Sequence, residues 1–365
     1  MIYREYGKTG KKVSILGFGG MRFKEGEPVE KSAEIIIRAV ELGVNYLDTA
    51  PAYCRDKSES IMGLAMQQIE SPVFISTKSA ENESEKVRRD LEQSLTRLKV
   101  DKIDFYHFWW VLNMERFEKA KKGGAIETFL RAKEEGLIDH LVISSHQPGE
   151  EIKEVVKMGL FEGITLGYNI INFPFRREGV LAAYKAGMGV VTMNPLSGGV
   201  IPQNEKRFAF IKENDFQSVV SAALRFNMAH PEITVTLAGM ASIAEVEQNV
   251  AAVENLPVLT RERIRNLEKG IEQSLDQICT GCSYCLPCVD DIPIPKFMDL
   301  YNNYIFEKNP KTVAIRMKYH WALDISILEK CSQCRACEDA CTQHIPILER
   351  FEQLKEIIAE AQSGN

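Results

Sequence analysis

From residue 13 onward, short apolar runs alternate with longer stretches in which apolar residues recur at helical period. The runs are VSILGFGGM (13–21), VNYLDTA (44–50), VFISTKS (73–79), IDFYHFWW (103–110), HLVISSH (140–146), ITLGYNIIN (164–172), GVVTMNP (189–195) and ITVTLAG (233–239). They are rich in Val, Ile, Phe and Tyr, and several lack strict alternation. That pattern predicts parallel strands buried on both faces. Between them, residues 30–43, 83–100 and 215–230 read as amphipathic helices, the last stopped by Pro231. Residues 346–361 predict a final helix that opens on a proline and carries an apolar stripe.

Eight β/α units within ~250 residues match a (β/α)8 TIM barrel, whose chemistry sits at the carboxyl ends of its strands. A doubly wound dinucleotide fold would need G-x-G-x-x-G after the first strand. Here the run is Gly17-Phe18-Gly19-Gly20-Met21-Arg22, which lacks the third glycine. Residues 2–12 predict a hairpin around Lys8-Thr9-Gly10 that plugs the barrel bottom. After about residue 270 no further β/α pair appears, and Pro, Cys and aromatic residues crowd together. The expected division is a barrel over 1–270 and a mostly helical, ferredoxin-like domain over 271–365.

Composition adds exclusions. Of 365 residues, 45% are hydrophobic and 26% charged, with a net charge of −6. This is globular composition and a poor match to nucleic acid or anionic membrane. No apolar run reaches a membrane span, and the first residues lack a secretory core, so a cytoplasmic location is expected. Eight of the nine cysteines follow residue 278, which argues against a disulfide-stapled secreted fold.

Four polar residues fall at or near the ends of consecutive strands: Asp48, Tyr53, Lys78 and His107. A lysine closing an apolar strand is costly to desolvate without a carboxylate, and Asp48 is the obvious partner. An ammonium beside a phenol stabilises the phenolate, so Tyr53 is expected to be acidified into a proton donor for a carbonyl oxygen. His107 is expected to donate a hydrogen bond to that same oxygen. Tyr53, Trp109, Trp110 and Phe23 would wall the pocket, with Arg22 and Cys54 nearby. Solvation for Arg22 and packing for Cys54 are the plainer readings.

Two cysteine runs close the chain: Cys279-x2-Cys282-x2-Cys285-x2-Cys288 and Cys331-x2-Cys334-x2-Cys337-x3-Cys341. Three thiolates at C-x2-C-x2-C wrap one corner of a cubane, and in two-cluster ferredoxins the fourth cysteine ligates the other cluster. Two [4Fe–4S] clusters are expected, one on Cys279, Cys282, Cys285 and Cys341, the other on Cys331, Cys334, Cys337 and Cys288. Two zinc sites, or a single cluster with spare thiols, are the alternatives. Val289 and Thr342 stand where a proline usually follows the fourth cysteine. One reason to bind clusters would be a tail that buries little apolar core of its own.

Residues 1–255 resemble the aldo-keto reductases, through LGFGGM, LDTAPAY, ISTKS, FYHFW, YNIIN, NPLSGG and LAGMASIAEVEQNV. The resemblance maps the family's Asp, Tyr, Lys and His tetrad onto Asp48, Tyr53, Lys78 and His107. It implies hydride transfer between NAD(P)H and a small carbonyl or alcohol substrate. For the cofactor it implies Ser144 and Asn169 at the carboxamide, Leu196, Ser197 and Gly198 at the pyrophosphate, and Gly239, Met240 and Asn249 at the adenosine end. Glu245 stands where an arginine often holds the 2′-phosphate, Thr165 replaces a glutamine, and Met193 an aromatic, which leaves NADH and NADPH both open. The tail resembles the iron–sulfur extension of one branch of that family. Its clusters would be structural, or would take electrons from a redox partner such as a ferredoxin. An iron–sulfur electron-transfer or redox-sensing protein that uses the barrel as a cofactor-binding scaffold is the alternative function.

Overall fold

The computed structural model describes the chain except residues 112–113, 146–148, 275–277, 280, 282–283, 342–343 and 364–365, and the side chains of 110, 111, 175 and 272–274. Cys282 and the Trp110 side chain, both singled out by sequence, lie outside the described residues.

The chain opens on an antiparallel hairpin of β1 (Tyr3–Glu5) and β2 (Lys12–Ser14). Eight parallel strands then follow: β3 (Leu16–Gly19), β4 (Tyr46–Asp48), β5 (Phe74–Ser79), β6 (Ile103–Val111), β7 (Ile138–Ser145), β8 (Gly163–Gly167), β9 (Gly189–Met193) and β10 (Val235–Gly239). They close in chain order, β10 pairing with both β9 and β3. Each predicted run supplies one barrel strand. The run 13–21, however, is divided: Val13 and Ser14 belong to the hairpin, and the barrel strand begins at Leu16.

The helices follow from spacing and caps. Ser84–Leu98 buries Val87, Leu91, Ser94 and Leu98, one face at helical period, and stops at Lys99 in a left-handed conformation. The helix expected over 215–230 is shorter, Val219–Met228, because the Ser218 side chain accepts the Ser221 N–H and sets its start. The run 164–172 also ends early as a strand, at Gly167. Beyond it one main-chain bond to β9 remains, from the Tyr168 N–H to the Met193 carbonyl at 3.1 Å, and side chains join in: Asn227 Nδ2 donates to the Tyr168 carbonyl at 2.7 Å, and Asn169 Nδ2 donates to the Asn194 carbonyl at 3.0 Å.

The barrel floor is filled as the hairpin predicts. Tyr6, from the hairpin turn, is fully buried with Val13, Tyr46, Phe105, Val142, Val191, Val235 and Leu237. Its ring lies 4.1 Å from that of Phe105. Gly163 and Gly189 make room for it, since a Cβ at either position would fall within 2.3 Å of the Tyr6 side chain.

Two compact units emerge. One comprises Met1–Ile170, Arg176–Leu196 and Glu213–Leu259; the other comprises Ile171–Phe175, Ser197–Lys212 and Thr260–Asn365. The second is mostly helical and buries a core of its own around Phe297, Leu300, Val313, Trp321, Phe351 and Leu354. The expectation that this region buries little apolar surface is therefore corrected. Helices Ile294–Glu307 and Ile347–Ser363 bring apolar faces together there. Among the described residues, no helix is long and apolar enough to cross a membrane.

His230 tests the barrel's packing. Its Nδ1 donates to the Phe226 carbonyl at 2.9 Å, so its Nε2 accepts the Tyr168 hydroxyl at 3.0 Å. Burial pushes the imidazole down to about 4. Below the unfolded value of ~6.5 the unfolded chain takes up a proton that the native ring refuses, so stability present above that pH falls on acidification. Between pH 7 and 5 this residue alone should lower the unfolding free energy by about 2 kcal/mol. Urea titrations at both pH values should show that slope, and it should be shallower in His230→Gln.

Candidate active site

Strand register assembles the site. Asp48 pairs with Ser76 across β4 and β5, and Lys78 pairs with His107 across β5 and β6. Ser76 and Lys78 are two residues apart and point to the same side of β5. Lys78 Nζ donates to Asp48 Oδ2 at 2.6 Å and to the Thr49 carbonyl at 2.7 Å. The Ser76 hydroxyl donates to the same carboxylate oxygen at 2.8 Å. Both members of the ion pair are buried, with side-chain exposures of 2% and 4%. Burial lowers the lysine's pKa, while Asp48 opposes that shift.

Tyr53 lies in the turn after β4, its backbone N–H bonded to the Ala50 carbonyl. Three successive left-handed residues follow it, Cys54, Arg55 and Asp56, with φ of 53°, 53° and 64°. Its ring meets Trp109 edge to face, centroids 5.7 Å apart, and the Lys78 ammonium lies 5.4 Å from its centroid. The expected acidification of Tyr53 is corrected. Burial, reinforced by the Asp48 charge, raises its pKa above the usual phenol value. The ammonium is already engaged by Asp48 and Thr49, so desolvation of the phenolate prevails. Tyr53 is a protonated phenol across the neutral range.

His107 is fully buried, and burial, followed by the Lys78 charge, holds its pKa well below the ordinary value. Its Nδ1 lies 3.2 Å from the Thr77 carbonyl, which can only accept, so the proton sits on Nδ1. Nε2 is then an acceptor, and the Thr165 hydroxyl donates to it at 2.8 Å. The hydrogen bond expected from His107 to a substrate oxygen is corrected accordingly: in this tautomer Nε2 has no proton to offer. Thr165 was singled out in the sequence only as a replaced glutamine. Ser76, Thr77 and Glu59 were missed. The Thr77 hydroxyl donates to buried Glu59 at 2.7 Å, which anchors the strand whose carbonyl orients His107. The run of four consecutive polar residues, Ser76-Thr77-Lys78-Ser79, closing an otherwise apolar strand was the available signal.

The expected cofactor residues are distributed as follows. Ser144 is fully buried at the end of β7, and its hydroxyl has no hydrogen-bond partner among the described residues. Asn169 follows β8 on the neighbouring strand. Ser197 and Gly198 have left-handed backbones, φ 52° and 71°, and belong to the second unit, whereas Leu196 belongs to the first. Gly239 ends β10, where a Cβ would strike Arg22 Cγ at 2.4 Å. Met240 and Asn249 are buried beyond it. Glu245 Oε2 accepts the Ala241 N–H at 2.7 Å, so that carboxylate is turned onto its own helix start.

In the second unit, Cys285, Cys288, Cys331, Cys334 and Cys337 line one cavity of about 80 Å³. Cys279 and Cys341 each accept a backbone N–H on sulfur at 3.4 Å, from Gly281 and Ile345. Among the described residues, which leave out Cys282, no three ligand side chains are placed to hold a metal ion.

The buried pair sets a testable asymmetry. Asp48→Leu leaves an unpaired ammonium in the barrel and should destabilise the fold by about 3–5 kcal/mol. The double variant Asp48→Leu/Lys78→Met removes both charges and should recover most of that loss in denaturant unfolding.

Comparison with known proteins agrees with the geometry. The model of the aldo/keto reductase family matches residues 15–272. An uncharacterized oxidoreductase of Bacillus subtilis, YqkF, is 28% identical over 309 residues, covering 75% of this chain and 98% of the relative. L-galactose dehydrogenase of Arabidopsis thaliana is 26% identical over 74% of this chain and 94% of its own length. Among solved structures, the holo form of the aldo-keto reductase AKR11C1 from Bacillus halodurans superimposes with a TM-score of 0.64 at 27% identity, covering 74% of this chain and 96% of that one. With the closed eight-strand barrel, and with a family match over more than half its length, this chain belongs to the aldo/keto reductase family and is an NAD(P)-dependent oxidoreductase.

Proposed function

We propose that the protein reduces a small aldehyde or ketone, or oxidises the matching alcohol, at the site built by Asp48, Tyr53, Lys78 and His107. The observation that carries this reading is the protonated Tyr53 phenol beside a buried ammonium that is itself ion-paired. A bound nicotinamide supplies or accepts the hydride. As hydride reaches the carbonyl carbon and the C=O π bond opens, the oxygen takes the Tyr53 proton, leaving an alcohol and a phenolate. The Lys78 ammonium, held by Asp48 and Thr49 at 5.4 Å from the Tyr53 ring centre, offsets part of the desolvation cost of that phenolate without overcoming it. A phenol of raised pKa still protonates an alkoxide, which is the stronger base by far. His107, neutral and held by Thr77 and Thr165, positions the pocket wall.

The orphaned Ser144 hydroxyl supports a nicotinamide site, since a buried hydroxyl without a protein partner calls for a ligand group. We assign Ser144 and Asn169 to the carboxamide, Leu196 to the pyrophosphate, and Gly239, Met240 and Asn249 to the adenosine end. Glu245, folded back on its helix, offers no clamp for a 2′-phosphate.

For the cysteines we propose two [4Fe–4S] clusters in a ferredoxin-like tail. The supporting observation is that two residues of the first run, Cys285 and Cys288, line the same cavity as Cys331, Cys334 and Cys337 of the second. That exchange of the fourth ligand is what paired cubanes require. Cys279, Cys282, Cys285 and Cys341 would hold the other cluster. Such clusters carry one electron each, between this protein and a redox partner such as a ferredoxin, or serve the fold alone.

An anaerobic screen of aldehydes, ketones and sugars with NADH and NADPH tests the enzymatic reading. Tyr53→Phe should lower turnover by at least ~100-fold while nucleotide binding persists. Turnover that survives the substitution would instead favour an iron–sulfur protein using the barrel as a scaffold.

A further inference from the structure

The residues assigned to the nucleotide leave its charge unanswered. Ser144, Asn169, Leu196, Gly239, Met240 and Asn249 are all neutral, and Glu245 is negative. A nicotinamide dinucleotide carries a doubly negative pyrophosphate, and phosphate oxygens are bound most strongly by charged donors.

Several cations stand at the barrel mouth, but most are engaged. Lys78 is held by Asp48 and by the Thr49 carbonyl. Arg116 Nη2 donates to the Ala80 carbonyl at 2.6 Å, just past β5, and Arg176 Nη1 donates to the Gly167 carbonyl at 2.6 Å, at the end of β8. On the loop after β3, Glu25 pairs with Arg55 and Glu27 with Lys24. Arg22, on that same loop, is exposed and makes no hydrogen bond or ion pair among the described residues.

Its stem is nevertheless seated. Gly19, the last residue of β3, pairs with Asp48 on one side and with Gly239 on the other, so all three share one row at the barrel mouth. The Arg22 side chain lies over Gly239, where a Cβ would collide with its Cγ. Gly239 has no left-handed backbone that would call for a glycine, so what its bare Cα provides is room for the arginine. Nearby, Glu245 is committed to the Ala241 N–H and does not neutralise Arg22.

We infer that Arg22 is a cofactor-binding residue whose guanidinium donates to the pyrophosphate of the nicotinamide dinucleotide, the group that NADH and NADPH share. This rests on the assignment of Gly239 to the adenosine end given under Proposed function. The pyrophosphate adjoins the adenosine, so a cation lying over Gly239 stands beside it. The planar fork of a guanidinium can take two phosphate oxygens at once, and a stem already packed on Gly239 has less rotamer freedom to lose on binding.

Direct binding of NADH and of NADPH to the full chain, followed by calorimetry at low and high salt, tests this. Arg22→Gln should raise both dissociation constants by ~10-fold or more, to the same extent, and should flatten their dependence on salt. Arg22→Lys should recover only part of the loss, because the charge returns without the fork. Arg22 is exposed, so thermal unfolding of both variants should match the wild type. A loss confined to NADPH would assign Arg22 to the 2′-phosphate and overturn the pyrophosphate contact. Unchanged nucleotide affinity with weaker binding of carboxylate-bearing aldehydes would place Arg22 with the substrate and overturn it equally. A wild-type protein that binds neither nucleotide would overturn the cofactor site itself. One that binds both, with Arg22→Gln indistinguishable from it, would overturn only the role of Arg22.

Discussion

The barrel mouth depends on one ion pair placed where water does not reach. Lys78 and Asp48, 2.6 Å apart and almost wholly buried, would each be intolerable alone. Together they recruit the Ser76 hydroxyl onto Asp48 Oδ2 and the Thr49 carbonyl onto the Lys78 ammonium. The consequences spread outward. The lysine's charge helps keep His107 neutral, and the carboxylate's charge helps keep the Tyr53 proton in place. Two neighbouring groups are thus held in defined protonation states by a pair that need not change its own.

Precision at this site comes from parallel register. Asp48, Lys78 and His107 project from three consecutive strands whose pairing leaves no freedom to slide. Tyr53 alone comes from a loop, and that loop is braced: Ser58, fully buried just beyond it, donates to the Gly20 carbonyl and accepts from Thr49. Three left-handed residues intervene, a costly conformation for side chains other than glycine. The barrel supplies rigid positions for the charges, and a constrained turn supplies the phenol.

The second unit follows different logic. Its helices close over an apolar core, and among the described residues Cys279, Cys285, Cys288, Cys331, Cys337 and Cys341 lie half-buried along the edge of that core, while Cys334 is exposed. A region with such a core has a source of stability besides its thiols.

The barrel was legible in the sequence because its signals are local. Eight apolar runs of strand length alternating with amphipathic helices admit few other arrangements, and Asp48, Tyr53, Lys78 and His107 stand out as polar residues in apolar surroundings. The two cysteine runs are equally plain as spacing, since they are written in nearly consecutive residues. The strand limits at Leu16 and Gly167 were not legible, because they depend on hairpin pairing and on contacts from distant residues such as Asn227, whose amide takes the Tyr168 carbonyl. Nor were the protonation states. Linear order says that an ammonium and a phenol are neighbours, but whether attraction or desolvation prevails depends on burial and on who else holds the ammonium. The tautomer of His107 likewise follows from the Thr77 carbonyl and the Thr165 hydroxyl, brought together only by register. The sequence by itself determined which groups the protein possesses and on which element each one rides; the tertiary structure decided their charge and hydrogen-bonding roles, because dielectric surroundings and partners across strands exist only once the chain has closed.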